Sequence, residues 1–137
     1  MSIVITTELD VGYDRFKEVE KVTKEVLAEY GFGILTEIDA KETLKKKIGA
    51  EIRPYKILGA CNPPYAHKAI ILVPEVGALL PCNIIIYENE EGKIVVSAMN
   101  PKEAMSVVKV EKLNEIADEV NEIMKEVINE VKNRFSR

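Results

Sequence analysis

The fold is decided by the stretch from Cys82 to Met99, which reads CNIIIYENEEGKIVVSAM. Two runs of residues that favour β-strands, Cys82–Glu88 and Lys93–Met99, flank a polar turn that ends in Gly92. Such runs on either side of a short turn containing glycine predict an antiparallel hairpin. The two faces of its first strand carry Cys82, Ile84 and Ile86 on one side, and Asn83, Ile85 and Tyr87 on the other. Because a half-exposed strand normally alternates apolar with polar residues, we expect this strand to be covered on both faces.

The segments outside the hairpin supply the rest of an α+β domain. Three further strands are predicted, at Ile3–Thr7, Gly33–Ile38 and Tyr55–Ala60. Two main helices are predicted from apolar residues at three- and four-residue steps, at Asp14–Tyr30 and Val110–Arg134. Two short helices are predicted, from Asp39 to Gly49 and from Pro63 to Leu72. Because the apolar stripes of the main helices are wide, the predicted fold class is α+β, a mainly antiparallel curved sheet with both main helices packed on one face.

Composition limits the classes of function. The 137 residues carry 23 acidic and 19 basic side chains, which give a net charge of -4. A chain of this length predicts a single α+β domain over residues 1–137, and its acidic balance argues against a nucleic-acid-binding surface. The first ten residues lack the pattern of a signal peptide, and every apolar run is far shorter than the ~20 residues of a membrane helix. We therefore expect a soluble, cytoplasmic protein that binds neither nucleic acid nor membrane.

Two Cys-Asn dipeptides beside proline are the most informative local motifs. Cys61-Asn62 ends the third predicted strand, and Cys82-Asn83 begins the fourth. Antiparallel neighbours bring the end of one strand and the beginning of the next to the same edge of a sheet, so the two cysteines should converge. We predict a ligand-binding pocket formed by Cys61, Asn62, Cys82 and Asn83, with His67 one helical turn away, and a small polar or anionic ligand.

Other interpretations of these residues stay open. Cys61 is a candidate catalytic nucleophile, with Cys82 as its resolving partner, because a helix that starts at Pro63 would favour the Cys61 thiolate. Together with His67 the cysteines could bind a metal, but the sequence has no CxxC or HExxH spacing and we assign no metal site. The turns could also be purely structural. Enzymatic activity is left unassigned, and no cofactor is identified.

The same motifs carry a family resemblance. Three segments are similar to the family catalogued as domain of unknown function 302. They are Tyr55 to Pro63, Leu79 to Asn83, and the glycine-rich start of the strand after Tyr30. The similarity runs from about Ile3 to Lys132. It implies a compact α+β domain and a homodimer, and it implies no activity. A homodimer also agrees with the doubly apolar strand from Cys82 to Tyr87, because large exposed apolar patches usually mark interfaces.

Overall fold

The predicted hairpin forms the middle of a five-stranded sheet. In the computed structural model, which describes residues 2–136, the strands are β1 (Val4–Leu9), β2 (Gly33–Asp39), β3 (Tyr55–Cys61), β4 (Cys82–Glu88) and β5 (Ile94–Met99). Their spatial order is β1-β5-β4-β3-β2, and every neighbouring pair is antiparallel. The register of the hairpin pairs Ile84 with Ala98. The predicted α+β class with an antiparallel sheet is confirmed.

Five helices connect or follow these strands in the described residues. They are α1 (Phe16–Glu29), α2 (Ala40–Ile48), α3 (Pro63–Leu72), α4 (Pro101–Met105) and α5 (Glu111–Arg134). Short 3₁₀ turns lie at Tyr13–Arg15, Pro74–Leu79 and Ser106–Val108. None of the helices within residues 2–136 combines the length and the apolarity that crossing a bilayer requires.

The two main helices pack on the same face of the sheet, as predicted. One apolar cluster joins α1, α5 and the inward residues of the central strands. Its fully buried members include Leu27 from α1, Met124 from α5, Leu58 from β3 and Ile84 and Ile86 from β4. Because successive strand residues point to opposite faces, the alternate residues of the same strands face away from these helices.

Several boundaries differ from the sequence prediction. α1 begins at Phe16 rather than Asp14, because a 3₁₀ turn precedes it, and β1 runs to Leu9 rather than Thr7. Helix α4 is absent from the predicted helices. Asn100 is the N-cap of this helix, since its side chain accepts a hydrogen bond of 3.1 Å from the backbone N–H of Glu103.

The face opposite α1 and α5 carries apolar residues that join neither apolar cluster of the described chain. Ile57 of β3 is paired with Ile85 of β4 and with Ile38 of β2, whose side chain is 46% exposed. Tyr55 and Tyr87 stack beside them with ring centroids 5.4 Å apart. We call this surface, defined by Ile38, Tyr55, Ile57, Ile85 and Tyr87, the open sheet face. Its apolar character agrees with the sequence pattern of β4. The single domain predicted over residues 1–137 includes Met1 and Arg137, which lie outside the described residues.

Candidate functional site

Strand register brings the two cysteines to one edge of the sheet. β3 ends at Cys61 and β4 begins at Cys82, and the register pairs Ala60 with Cys82. Cys61 is therefore one residue beyond the direct partner of Cys82. Both residues line the same cavity. This agrees with the convergence expected from antiparallel neighbours.

Helix α3 begins where the sequence predicted. Asn62 is its N-cap residue and Pro63 its first residue, but the Asn62 side chain does not cap the helix. Instead, its amide nitrogen donates a hydrogen bond of 3.5 Å to the carbonyl oxygen of Tyr30. Asn62 thus links the start of α3 to the end of α1. Pro63 and Pro64 both lack an N–H group, so the first turn of α3 offers an anion fewer backbone donors than an ordinary helix start.

Close packing around Gly59 fixes the second Cys-Asn turn. A Cβ atom at Gly59 would lie 2.8 Å from Cγ of Pro81 and would also clash with Oγ1 of Thr36. Gly59 is paired with Asn83, the residue after Cys82. The absence of a side chain at Gly59 therefore lets Thr36 and Pro81 close over β3 and hold the chain as it enters β4.

A partly open cavity of about 310 Å³ lies between this edge of the sheet and helices α3 and α5. α3 contributes Ala66 and Ala69 to its wall, and α5 contributes Leu113, Ala117 and Val120. The side chains that line it in residues 2–136 include none from Asp, Glu, Lys, Arg or His. Its polar groups come from Asn62, Tyr65 and the two thiols. The cavity has the volume of a small-molecule site and walls that are almost entirely apolar.

The two thiols differ in environment. Cys82 is 6% exposed and Cys61 is half-buried. Burial raises the pKa of the Cys82 thiol from 9.0 to about 11, and the nearby Cys61 adds to the rise. The desolvated thiolate is disfavoured in a low-dielectric site, so Cys82 is a protonated, neutral thiol at pH 7. Both cysteines are free.

Two of the candidate site residues lie outside the cavity. Asn83 is exposed, and the pleat of β4 turns it to the side opposite Cys82. His67 is on the exposed side of α3, in a shallow groove with Lys112, Glu115 and Glu119. Within residues 2–136, no three side chains of the His, Cys, Asp and Glu types are grouped so that they could hold a metal ion. The structure thus places Cys61, Asn62 and Cys82 around one cavity and leaves Asn83 and His67 outside it.

Sequence reasoning missed the helical walls of the cavity. The apolar spacing of α5 identified Leu113, Ala117 and Val120 as core residues, but no local signal showed that they face the Cys-Asn turns. Met105 of α4 also lines the cavity, and its helix was not predicted. The Asn-Pro-Lys-Glu sequence from Asn100 to Glu103 could have revealed this helix, because it places a cap residue before a proline and an acid in the first turn.

The fold places this chain among the small α+β proteins. It has an antiparallel five-stranded sheet, its main helices on one face, and a cavity where two strands end. Comparison with known families makes this assignment specific, since the model of the family described as "Domain of unknown function DUF302" matches residues 7–131. The chain belongs to this family.

A solved structure shares the fold of this chain. The crystal structure of an uncharacterized conserved DUF302 protein from Bacillus stearothermophilus is similar, with a TM-score of 0.83. The two sequences are 24% identical, and the likeness covers 98% of this chain and 99% of that one. An uncharacterized protein of Aquifex aeolicus (strain VF5) is 33% identical over 78 residues. This match spans 55% of the chain and 54% of the relative, about half the length of each.

Proposed function

We propose that this chain is a small-molecule-binding protein whose ligand occupies the cavity at the two Cys-Asn turns. The observation that carries the proposal is the cavity of about 310 Å³, which is bounded by Cys61, Asn62 and Cys82. The cavity is partly open to solvent, and almost all of the surface that lines it is apolar. A space of this volume with apolar walls is the usual form of a ligand site.

A thiol-based redox or transfer enzyme that uses Cys61 is the second candidate, and the convergence of the two cysteines is the observation that favours it. Two features weigh against it. Cys82 is protonated at neutral pH, which makes it a poor nucleophile. The two prolines that begin α3 remove N–H groups that could stabilise a thiolate at Cys61. A Cys/His metal site has less support, because His67 lies on the exposed side of α3.

Binding is tested with the neutral fluorescent probe N-phenyl-1-naphthylamine. We expect its fluorescence to rise saturably at one site per chain, because the apolar cavity excludes water from the dye. Ala66 lines the cavity from a half-buried position, so Ala66→Phe should fill it and weaken binding at least tenfold. Ala28→Phe is the matched control, because Ala28 is an exposed residue of α1 outside the cavity. Binding that is absent, or equally weakened in both variants, would contradict the proposal.

We also propose that the protein is a homodimer joined through the open sheet face. Five strands spaced ~4.8 Å apart and about six residues long give a face of about 24 Å by 20 Å, or roughly 480 Å². A stable interface buries about 800 Å² on each partner, so the sheet alone is too small. Helix α2 supplies further area, because it has no buried residue and its last residue, Ile48, is 74% exposed. α2 begins two residues after Ile38 of the open sheet face and packs beside β2 and β3, two of the strands that form this face.

The dimer is tested by sedimentation at micromolar concentration. We expect a 31 kDa species, twice the 15.4 kDa of the chain. Ile38→Glu should shift it to the monomer mass, because two carboxylates would be buried in the interface without partners. Ile71→Glu is the matched control: Ile71 is 71% exposed, but it lies on α3, away from the open sheet face. A monomeric wild type, or a dimer that only Ile71→Glu disrupts, would contradict this interface.

A further inference from the structure

The chemistry of the cavity wall restricts the ligand. Among the described residues, the cavity is lined by no Asp, Glu, Lys, Arg or His side chain, and the thiol of Cys82, a residue that is 6% exposed, is protonated. A carboxylate, phosphate or ammonium group placed inside would lose its hydration and gain no opposite charge. Burying an ion without a partner is among the most unfavourable events in a protein interior.

The volume restricts the size of the ligand. An engineered apolar cavity of about 150 Å³ binds one benzene molecule. The cavity here, at about 310 Å³, is twice as large. It therefore suits an apolar body of about ten to twelve carbon atoms, either a fused pair of rings or a medium-length alkyl chain.

The polar groups of the wall fit an uncharged head group. Three of them, Cys61, Asn62 and Tyr65, are close in the chain where β3 passes into α3, and the fourth, Cys82, begins β4. The amide nitrogen of Asn62 donates to the carbonyl oxygen of Tyr30 at 3.5 Å. The side-chain oxygen of Asn62 is not used in that bond and can accept a hydrogen bond from a ligand. The Tyr65 hydroxyl donates a hydrogen bond of 3.4 Å to the Glu119 carboxylate, an exposed group that does not line the cavity, so this hydrogen is already engaged. A hydroxyl group can donate to Asn62, whereas a carboxylate cannot.

We propose that the ligand is an uncharged, hydroxyl-bearing apolar molecule of about ten to twelve carbon atoms. This inference rests on the proposed function and names the ligand class of the same site. It differs from the polar or anionic ligand expected from the sequence, because Asn83, one of the four residues of that predicted pocket, lies outside the cavity.

The experiment is a calorimetric titration with four ten-carbon probes: decan-1-ol, decanoate, decylammonium and decanedioate. We expect decan-1-ol to bind at one site, both singly charged probes to bind at least tenfold more weakly, and decanedioate not to bind. Decanedioate is the sharpest case, because a molecule with a charge at each end cannot keep both ends in water while its chain fills the cavity. Along a series of primary alcohols of increasing length, the affinity should rise about fourfold per added CH₂, because burial of each group contributes ~0.8 kcal/mol. The affinity should level off beyond about twelve carbons.

The outcomes separate this inference from the proposed function. One outcome is that decanoate, decylammonium or decanedioate binds with an affinity within threefold of that of decan-1-ol, and that Ala66→Phe removes this binding. The inferred ligand class would then be wrong, and the cavity would remain the binding site. If none of the four probes and no fluorescent probe binds, the proposed function fails as well. If the alcohol binds equally to Ala66→Phe and Ala28→Phe, the cavity is not its site and both are overturned.

Discussion

Replacing Cys82 with alanine tests the electrostatics of the site through the pH dependence of stability. The folded protein raises the pKa of this thiol from 9.0 to about 11 because the side chain is buried. Below pH 9 the thiol is protonated in both the folded and the unfolded chain, so its contribution to stability is fully present. Between pH 9 and 11 the unfolded chain loses the proton first, so unfolding becomes more favourable and stability falls.

The magnitude follows from the size of the shift. A difference of about two pKa units at ~1.36 kcal/mol per unit corresponds to about 2–3 kcal/mol of unfolding free energy. Wild type should therefore lose about 2–3 kcal/mol more than Cys82→Ala between pH 8 and pH 11. Other groups, such as lysines and tyrosines, also titrate in this range, but they are common to both proteins and cancel in the difference.

The assay is urea denaturation of wild type, Cys82→Ala and Cys61→Ala under reducing conditions at pH 8, 9, 10 and 11. Cys61→Ala is the matched control, because it removes a thiol from the same cavity and leaves Cys82 buried. It should keep most of the pH dependence that Cys82→Ala loses. A difference between wild type and Cys82→Ala that stays constant from pH 8 to pH 11 would refute the argument that burial governs this thiol.

Two further substitutions test the packing that builds the site. Gly59→Ala should lower the free energy of unfolding by about 1–3 kcal/mol, because the new Cβ would overlap Thr36 and Pro81. Gly77→Ala is the control: its Cβ would meet no atom within 4 Å, so the free energy of unfolding should change by less than about 0.5 kcal/mol. Equal effects of the two in thermal or urea unfolding would contradict this assignment. Asn100→Ala should cost about 1 kcal/mol by the same assay, because it removes the N-cap of α4, a helix anchored by two buried residues. No loss of stability would show that this cap is dispensable.

Local sequence signals predicted most of the fold. The bounds of β4 and α3 agree with the prediction, because Cys82–Glu88 is bordered by turn residues and Pro63 marks the first residue of a helix. The helix predicted to end at Tyr30 is followed by Gly31, whose φ of 88° is a conformation that favours glycine. The end of β1 differs from the prediction. The strand continues through Glu8 to Leu9, and these two residues keep its alternation of exposed and buried positions.

The candidate site was less accessible from the sequence. Convergence of Cys61 and Cys82 follows from two neighbouring antiparallel strands and was predicted. The alternation of β4 already put Asn83 and Cys82 on opposite faces, yet the predicted pocket grouped them, and the structure brings only Cys82 to the cavity. The apolar walls come from α5, which crosses the sheet far along the chain from the Cys-Asn turns. Long-range packing of that kind leaves no mark in local periodicity.

The most direct test of the account is where decan-1-ol binds on the ¹⁵N-labelled protein. The account predicts saturable, one-site shifts of the backbone amides of Cys61, Cys82 and Ala117, which lie on three of the elements that line the cavity, with the amides of Ala28 and Ile38 unchanged. Shifts concentrated on Ile38 and the open sheet face, or no saturable shifts at all, would contradict the claim that this cavity is a ligand site.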